Sequence, residues 1–300
     1  MTSPRTGTVL VAGSANLDFV VRATHVPAPG ETVLGRDFGT FPGGKGANQA
    51  AACAKAGGAS TQMLVALGYD VHAQVLEASL IDAGVVMRTV RSNGPTGVAF
   101  VCLSDTAENA ITVAPGANNA LLPEHLPPLH NISHLLMQLE SPLPSVLAWA
   151  RAARGAGVVT VLNAAPAQAL PDELIALIDV LIVNEHELAQ LTGLHDIDAA
   201  LDRLTNPCVV VTLGAQGSRA RMHGEHLHQP AFAITPVDTT GAGDTFCGTL
   251  VAALCRGLPF AEALRHASAA SALACTRLGA QAGIPTAREV NDLLASHPSP

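Results

Sequence analysis

The sequence predicts an α/β fold: a doubly wound, mostly parallel sheet flanked by helices, with a small β-sheet lid. Three observations predict it. Short apolar runs ending in glycine or polar residues recur along the chain, helical patterns lie between several of them, and two segments break this rhythm with short polar-alternating strands.

The opening run Thr8-Val9-Leu10-Val11-Ala12-Gly13 has the uninterrupted apolar character of a strand buried on both faces. Leu135 to Leu139, Val158 to Leu162, Val180 to Val183 and Val209 to Leu213 share it. Ser145 to Arg154 and Glu185 to Leu191 carry helical periodicity between them. Alternation of this kind implies a parallel sheet with right-handed crossovers, whose ligands gather beyond the carboxyl ends of the strands. Asn163, Asn184-Glu185, Thr212-Leu213-Gly214 and the turn before Asp244 then fall along one edge.

The exceptions are Leu17 to Phe41, with Phe19-Val20-Val21 and Glu31 to Phe38 as strands, and Thr96 to Val113, with a turn at Ser104-Asp105. Two such insertions from one end of a parallel core form a lid, which excludes water from transfer chemistry. The expected division is a core of residues 1–16, 42–95 and 114–300 and a lid of residues 17–41 and 96–113. Ser296 to Pro300 read as a frayed tail.

With 300 residues, 48% of them apolar, the chain can bury a sizeable core. A net charge of −8 without a basic run argues against a nucleic-acid partner. Met1 to Gly13 is too weakly apolar for a signal segment, and eighteen apolar residues nowhere run together, so a cytoplasmic protein without a membrane association is expected. The six cysteines form no C-x-x-C pair and read as reduced core residues. His223, His226 and His228 suggest a metal site, but Met222-His223-Gly224-Glu225-His226 reads better as a hairpin turn.

Val237 to Phe246 joins a glycine-rich turn to an apolar helix running from Phe246 to Leu254. Gly241, Ala242 and Gly243 would present free amides at that helix N-terminus, where unpaired N–H groups and the dipole attract an anion. Asp244 would stand beside this anion hole, placed to take the proton of an attacking hydroxyl. In isolation G-x-G-D is more often a helix cap; a second motif tips the balance. Pro42-Gly43-Gly44-Lys45-Gly46-Ala47-Asn48-Gln49-Ala50 opens an Ala-rich helix. A P-loop reading fails, because Gly46 stands where a Ser or Thr should be and no clear strand directly precedes the loop.

Gly43 to Ala50, Asn184-Glu185-His186-Glu187 and Asp238 to Phe246, in this order and spacing, resemble the signatures of the PfkB carbohydrate kinase family, and the resemblance covers nearly the whole chain. Within that family, Gly13 to Asp18, Leu136 to Pro142 and Asn163 to Ala167 are most similar to the ribokinase branch. The resemblance implies a ribokinase-like fold and transfer of the ATP γ-phosphate to a primary sugar hydroxyl, with Asp244 as base and the 241–243 amides holding the developing charge. It implies sugar contacts at Asn16, Asp18, Gly44, Lys45, Gly46, Ala47, Asn48 and Glu140. For ATP it points to Asn184, Thr212, Leu213, Gly214, Ala215, Gln216, Gly217, Gly243 and Ser268.

Glu187 lies three residues after Asn184, so on a helix both would share a face; by the same resemblance they organise Mg²⁺ through water. K⁺ is implied at Asp238 and Thr240 with carbonyls of Ala274, Arg277 and Gly279, although Gly283 stands where a serine hydroxyl can occur. A homodimer through the lid is also implied. Ribose is the favoured substrate; deoxyribose, another sugar or a nucleoside stay open, as does a catalytically silent sensor on the same fold.

Overall fold

The computed structural model describes residues 7–105 and 109–297. Its strands and helices run β1 (Thr8–Ala12), β2 (Asn16–Arg22), β3 (Asp37–Gly43), α1 (Lys45–Lys55), β4 (Thr61–Leu67), α2 (Val71–Asp82), β5 (Val86–Arg91), β6 (Gly97–Leu103) and β7 (Asn109–Ala114). They continue through β8 (Ile132–Met137), α3 (Leu143–Gly155), β9 (Val159–Asn163), α4 (Asp172–Ala176), β10 (Val180–Asn184), α5 (Glu185–Thr192) and α6 (Ile197–Arg203). The last are β11 (Cys208–Thr212), β12 (Ser218–Met222), β13 (Glu225–Gln229), α7 (Ala242–Cys255), α8 (Phe260–Ala274) and α9 (Ala287–Ser296).

Among the described residues nine strands form the large sheet in the order β13-β12-β11-β10-β9-β8-β1-β4-β5, in which only β12 runs against the others. The five apolar runs named above all become adjacent parallel strands of this sheet, and β4 and β5 extend it. Side chains alternate between two cores. Val9 and Val11 of β1 pack into the layer shared with α1, α2, α7 and α8, whereas Leu10 and Ala12 face the layer with α3, α5 and α6. Strand order reverses between β1 and β8, so the loops after these two strands diverge and leave a crevice at the carboxyl edge.

The second sheet has four strands in the order β3-β2-β6-β7. Its β3 spans Asp37–Gly43 rather than the expected Glu31 to Phe38. The antiparallel register that sets Asn16 against Gly43 and Arg22 against Asp37 ends there, so residues 31–36 have no strand partner and are largely exposed. A strand therefore does precede Gly44, correcting one of the two grounds for rejecting a P-loop. It belongs to the small antiparallel sheet, and Gly46 still offers no hydroxyl. Asn16, Pro42 and Gly43 fall within strands of this sheet rather than in the core.

The hairpin reading of the histidine segment holds: Met222 pairs with Glu225 across His223 and Gly224, both at positive φ. No cluster of metal-ligating side chains occurs among the described residues, nor any helix long and apolar enough to cross a membrane. The described cysteines are all unpaired, and burial pushes the Cys208 thiol up to about 12. Met1 to Thr6 and residues 298–300 of the expected tail lie outside the described residues; Ser296 still belongs to α9.

The Ala-rich composition acquires a physical reason in α1, α7 and α8. Every residue from Gly46 to Cys53 is buried, among them four alanines, and α7 and α8 bury further alanines at their mutual contact. Small side chains let these helices approach closely. A Cβ on Gly248 would lie 2.3 Å from the carbonyl oxygen of Gln49 and 2.7 Å from the Cβ of Ala52. Gly248→Ala should therefore force α1 away from α7 and cost about 1–3 kcal/mol. Gly155→Ala, where a Cβ meets nothing, should instead stabilise by roughly 0.5–1 kcal/mol. Thermal melts that shift in the same direction for both variants would contradict this packing account.

Candidate functional site

The site is assembled where three helix and strand termini meet. α1 begins beyond Gly44, whose φ of 86° and whose lack of room for a Cβ, 2.7 Å from the amide of Asn16, admit only glycine. α7 begins beyond Gly241, also left-handed at φ 74° and pressed against Ala280. β2 delivers Asn16 and Asp18 from the small sheet.

A cavity of about 430 Å³ lies between the two sheets. It is lined by Asn16, Asp18, Gly44, Lys45, Asn48, Glu140 and Asp244 at its polar end, and by Val20, Val101, Ile111 and Val113 of the small sheet. A smaller cavity of about 150 Å³ holds Asn163, Asn184, Glu187, Thr212, Gly243 and Cys247. Lys45, Gly241 and Asp244 border both. Asp244 is the one carboxylate among these three shared residues.

The Asp244 carboxylate accepts from two side-chain amides: Asn48 Nδ2 reaches Oδ2 at 3.0 Å and Gln49 Nε2 reaches Oδ1 at 2.8 Å. Beside it, the Ala242 N–H donates to the Thr239 carbonyl, whereas no partner among the described residues takes the N–H groups of Gly243 and Asp244. Of the expected amides, those of Gly241 and Gly243 are free among the described residues, only that of Ala242 is taken, and the Asp244 amide joins them. Gly243 meets nothing within 4 Å of its Cβ position, so this helix end is open.

Charge is concentrated here. Burial pulls Lys45 down, but the nearby carboxylates of Asp244, Glu140 and Glu187 outweigh it and hold the ammonium above its ordinary value. Asp18 is pushed up to about 7, chiefly by burial and further by the negative fields of Glu140 and Asp244. Gly43 makes room for it, since a Cβ there would lie 2.2 Å from Asp18 Oδ2. Glu140 is held in turn by the Lys45 amide and the Ser14 hydroxyl, which joins the loops after β1 and β8 across the crevice.

Asn184 and Glu187 do not share a helical face. Asn184 is the N-cap of α5, accepting from the Glu187 N–H at 2.8 Å, while Glu187 Oε2 accepts from the Asn184 N–H at 2.8 Å: a reciprocal capping box. The cap turns both toward the smaller cavity. Burial raises the Glu187 pKa despite that bond and the field of Lys45.

The remaining expected positions are distributed unevenly. Of Thr212 to Gly217 only Thr212 borders the smaller cavity. Gly214, Ala215 and Gln216 are exposed, and the Leu213 N–H closes onto the Gly217 carbonyl in a strand-to-hairpin turn. Gly46 and Ala47 are buried and line neither cavity, and the Ala47 N–H donates to the Ser14 carbonyl. Ser268 borders neither cavity; it is buried in α8 with its hydroxyl 3.5 Å from the Pro230 carbonyl.

Asp238 accepts from the amides of Thr240 and Gly279, and these bonds with the field of Arg22 outweigh the effect of burial and hold it below its ordinary value. The Cβ position of Gly283 lies 2.8 Å from the carbonyl oxygen of Gly279, 3.0 Å from that of Ala274 and 3.6 Å from that of Arg277. Three oxygens thus converge, although Gly279 also accepts the Gly283 N–H. Carbonyl and carboxylate oxygens are the donors a hard cation takes.

Gln49, Gln138 and Gln281 were not singled out as site residues. All three are buried, and their signal was available: amide side chains next to apolar residues in or beside the segments that carry the site.

The model of the pfkB family carbohydrate kinases matches residues 7–287. The ribokinase of Haemophilus influenzae is 37% identical over 301 residues, covering 96% of this chain and 98% of that protein. Among solved structures, ribokinase from Thermotoga maritima superposes with a TM-score of 0.89 at 34% identity, covering 96% of this chain and 99% of that one. Arabidopsis thaliana ribokinase, in complex with ribose and ATP, gives 0.87 at 35% identity, covering 96% and 98%. Similarity of this extent, over both sheets and both signature motifs, makes the chain a member of the pfkB family of carbohydrate kinases.

Proposed function

We propose that this protein phosphorylates D-ribose on its 5-hydroxyl with ATP, giving ribose 5-phosphate and ADP. The observation that carries the reading is that Asp244 borders both cavities beside free amides at the start of α7. The larger cavity has the polar end and volume for a free sugar, with Asn16, Asp18, Lys45, Asn48 and Glu140 as hydrogen-bonding partners. The smaller one would take the phosphate end of the nucleotide.

Asp244 accepts the hydroxyl proton as the sugar oxygen bonds to the γ-phosphorus, and the bond to the β–γ bridging oxygen breaks to release ADP. The Gly243 and Asp244 amides, with Lys45, receive the negative charge of the transferring phosphoryl group. Glu187 and Asn184 would hold Mg²⁺ through water, and the ion would neutralise phosphate charge. Asp238, Thr240 and the carbonyls around Gly283 would hold K⁺, which would reinforce the positive field at the start of α7. Replacing K⁺ by a bulky organic cation should then lower kcat; unchanged activity would count against that site.

The apolar face of the small sheet, with Ile111 55% and Val113 40% exposed, suits coverage by the same sheet of a second copy, giving a homodimer. A cytoplasmic location accords with ATP as phosphoryl donor.

Asp244→Asn tests the base directly. It should leave the fold intact and lower kcat by about 10²–10⁴-fold; equal product from both proteins would refute the assignment. Asp18 adds a pH dependence. Its pKa in the folded, sugar-free protein lies near 7, above the ordinary 3.8, so the stability it contributes is full below 3.8 and is lost as pH rises through 7. Sugar hydroxyls donate to the ionised carboxylate and favour it. Sugar binding should therefore release protons at about pH 6 and none at about pH 8, as read by calorimetry in buffers of different ionisation enthalpy. Proton uptake, or release independent of pH, would contradict this.

A further inference from the structure

Gln49 is fully buried on α1 and borders neither cavity. Its side-chain amide is nevertheless committed at every polar atom. Nε2 donates one hydrogen to Asp244 Oδ1 at 2.8 Å and the other to Asn163 Oδ1 at 2.9 Å, while Oε1 accepts from Gln138 Nε2 at 2.7 Å. Turning this amide over would set oxygen against two oxygens and nitrogen against nitrogen, so a single orientation is permitted.

Asn48, the preceding residue, holds the other carboxylate oxygen and is itself fixed by Gln281, whose oxygen accepts from Ser79. The two amides differ in one respect. Asn48 lines the larger cavity, where an incoming polyol competes for its N–H groups, whereas Gln49 lies behind the carboxylate, out of a ligand's reach. An apolar side chain would fill the same space without the cost of burying an amide.

We propose that Gln49 is a positioning residue for Asp244, holding Oδ1 through an orientation-locked amide while Asn48 is given up to the substrate. The proposal rests on the reading of Asp244 as the base. Gln49 contributes no proton and touches no substrate; it fixes the carboxylate against rotation, so that the remaining lone pairs stay aimed at the hydroxyl. Misplacing a reacting group by a fraction of its contact distance is costly because alignment is most of what this chemistry needs.

Gln49→Met keeps the length of the side chain and removes its donors. In purified, folded enzyme it should lower kcat by about tenfold to a hundredfold, while KM for ATP changes by no more than about twofold. Combined with Asp244→Asn, and followed by single-turnover product formation, it should add no further loss, since a residue acting through Asp244 has nothing left to act on. A wild-type kcat in folded Gln49→Met, or additive losses in the double variant, would overturn the proposal while leaving an impaired Asp244→Asn to uphold the base. An Asp244→Asn enzyme as active as wild type would overturn the base and the proposal together. Should Gln49→Met fail to fold, Gln138→Met frees the oxygen of Gln49 without touching Asp244; a smaller kcat loss with the same unchanged KM for ATP is expected, and an unchanged kcat would overturn the proposal.

Discussion

The structure depends on the contact between α1 and α7 across Gly248. That contact sets Asn48 and Gln49, adjacent residues of one helix, against the two oxygens of a carboxylate at the start of the other. Neither helix could be thicker at this point. The carboxylate oxygens of Asp244 stand three bonds from its Cα, and amides on α1 reach them only if the helix axes are drawn together by alanine and glycine. Close packing here is a geometric requirement of the site as well as a source of stability.

The large sheet supplies the rest by topology. Reversal of strand order between β1 and β8 opens a crevice at their carboxyl ends, and Ser14 and Glu140 clasp across it to hold the Lys45 amide. Three carboxylates, Asp244, Glu140 and Glu187, thereby act on one ammonium, that of Lys45, and Asp18 lies in the field of the first two. Burial, reinforced by Glu140 and Asp244, keeps Asp18 protonated to near neutrality, while the neighbouring carboxylates keep Lys45 charged against the effect of its own burial. A polyol answers that arrangement, because hydroxyl donors can satisfy carboxylates without adding charge.

Five of the seven strands that pair in parallel, β1 and β8 to β11, were legible in the sequence because burial on both faces erases polar alternation, whereas β4 and β5 emerged only with the fold. The hairpin at His223-Gly224 was legible for a similarly local reason. The extent of β3 was not: residues 31–38 have strand-like composition, but pairing with β2 decides where a strand lies, and that register is a non-local property. Asn184 and Glu187 were recognisable as a motif yet not as a capping box, since helical spacing alone does not say which residue is the first inside the helix. The amide network was least visible. Gln49, Gln138, Asn163 and Gln281 come from four separate places in the chain, and only folding shows that they support one carboxylate, directly or through a second amide.

The most direct test of the account is ADP release measured with Mg-ATP and K⁺ across D-ribose, 2-deoxyribose, fructose and a panel of nucleosides. The account predicts the highest kcat/KM for D-ribose, with phosphate found on its 5-oxygen. Turnover confined to another substrate would contradict the ribose assignment, and no turnover with any of them would contradict the kinase reading itself.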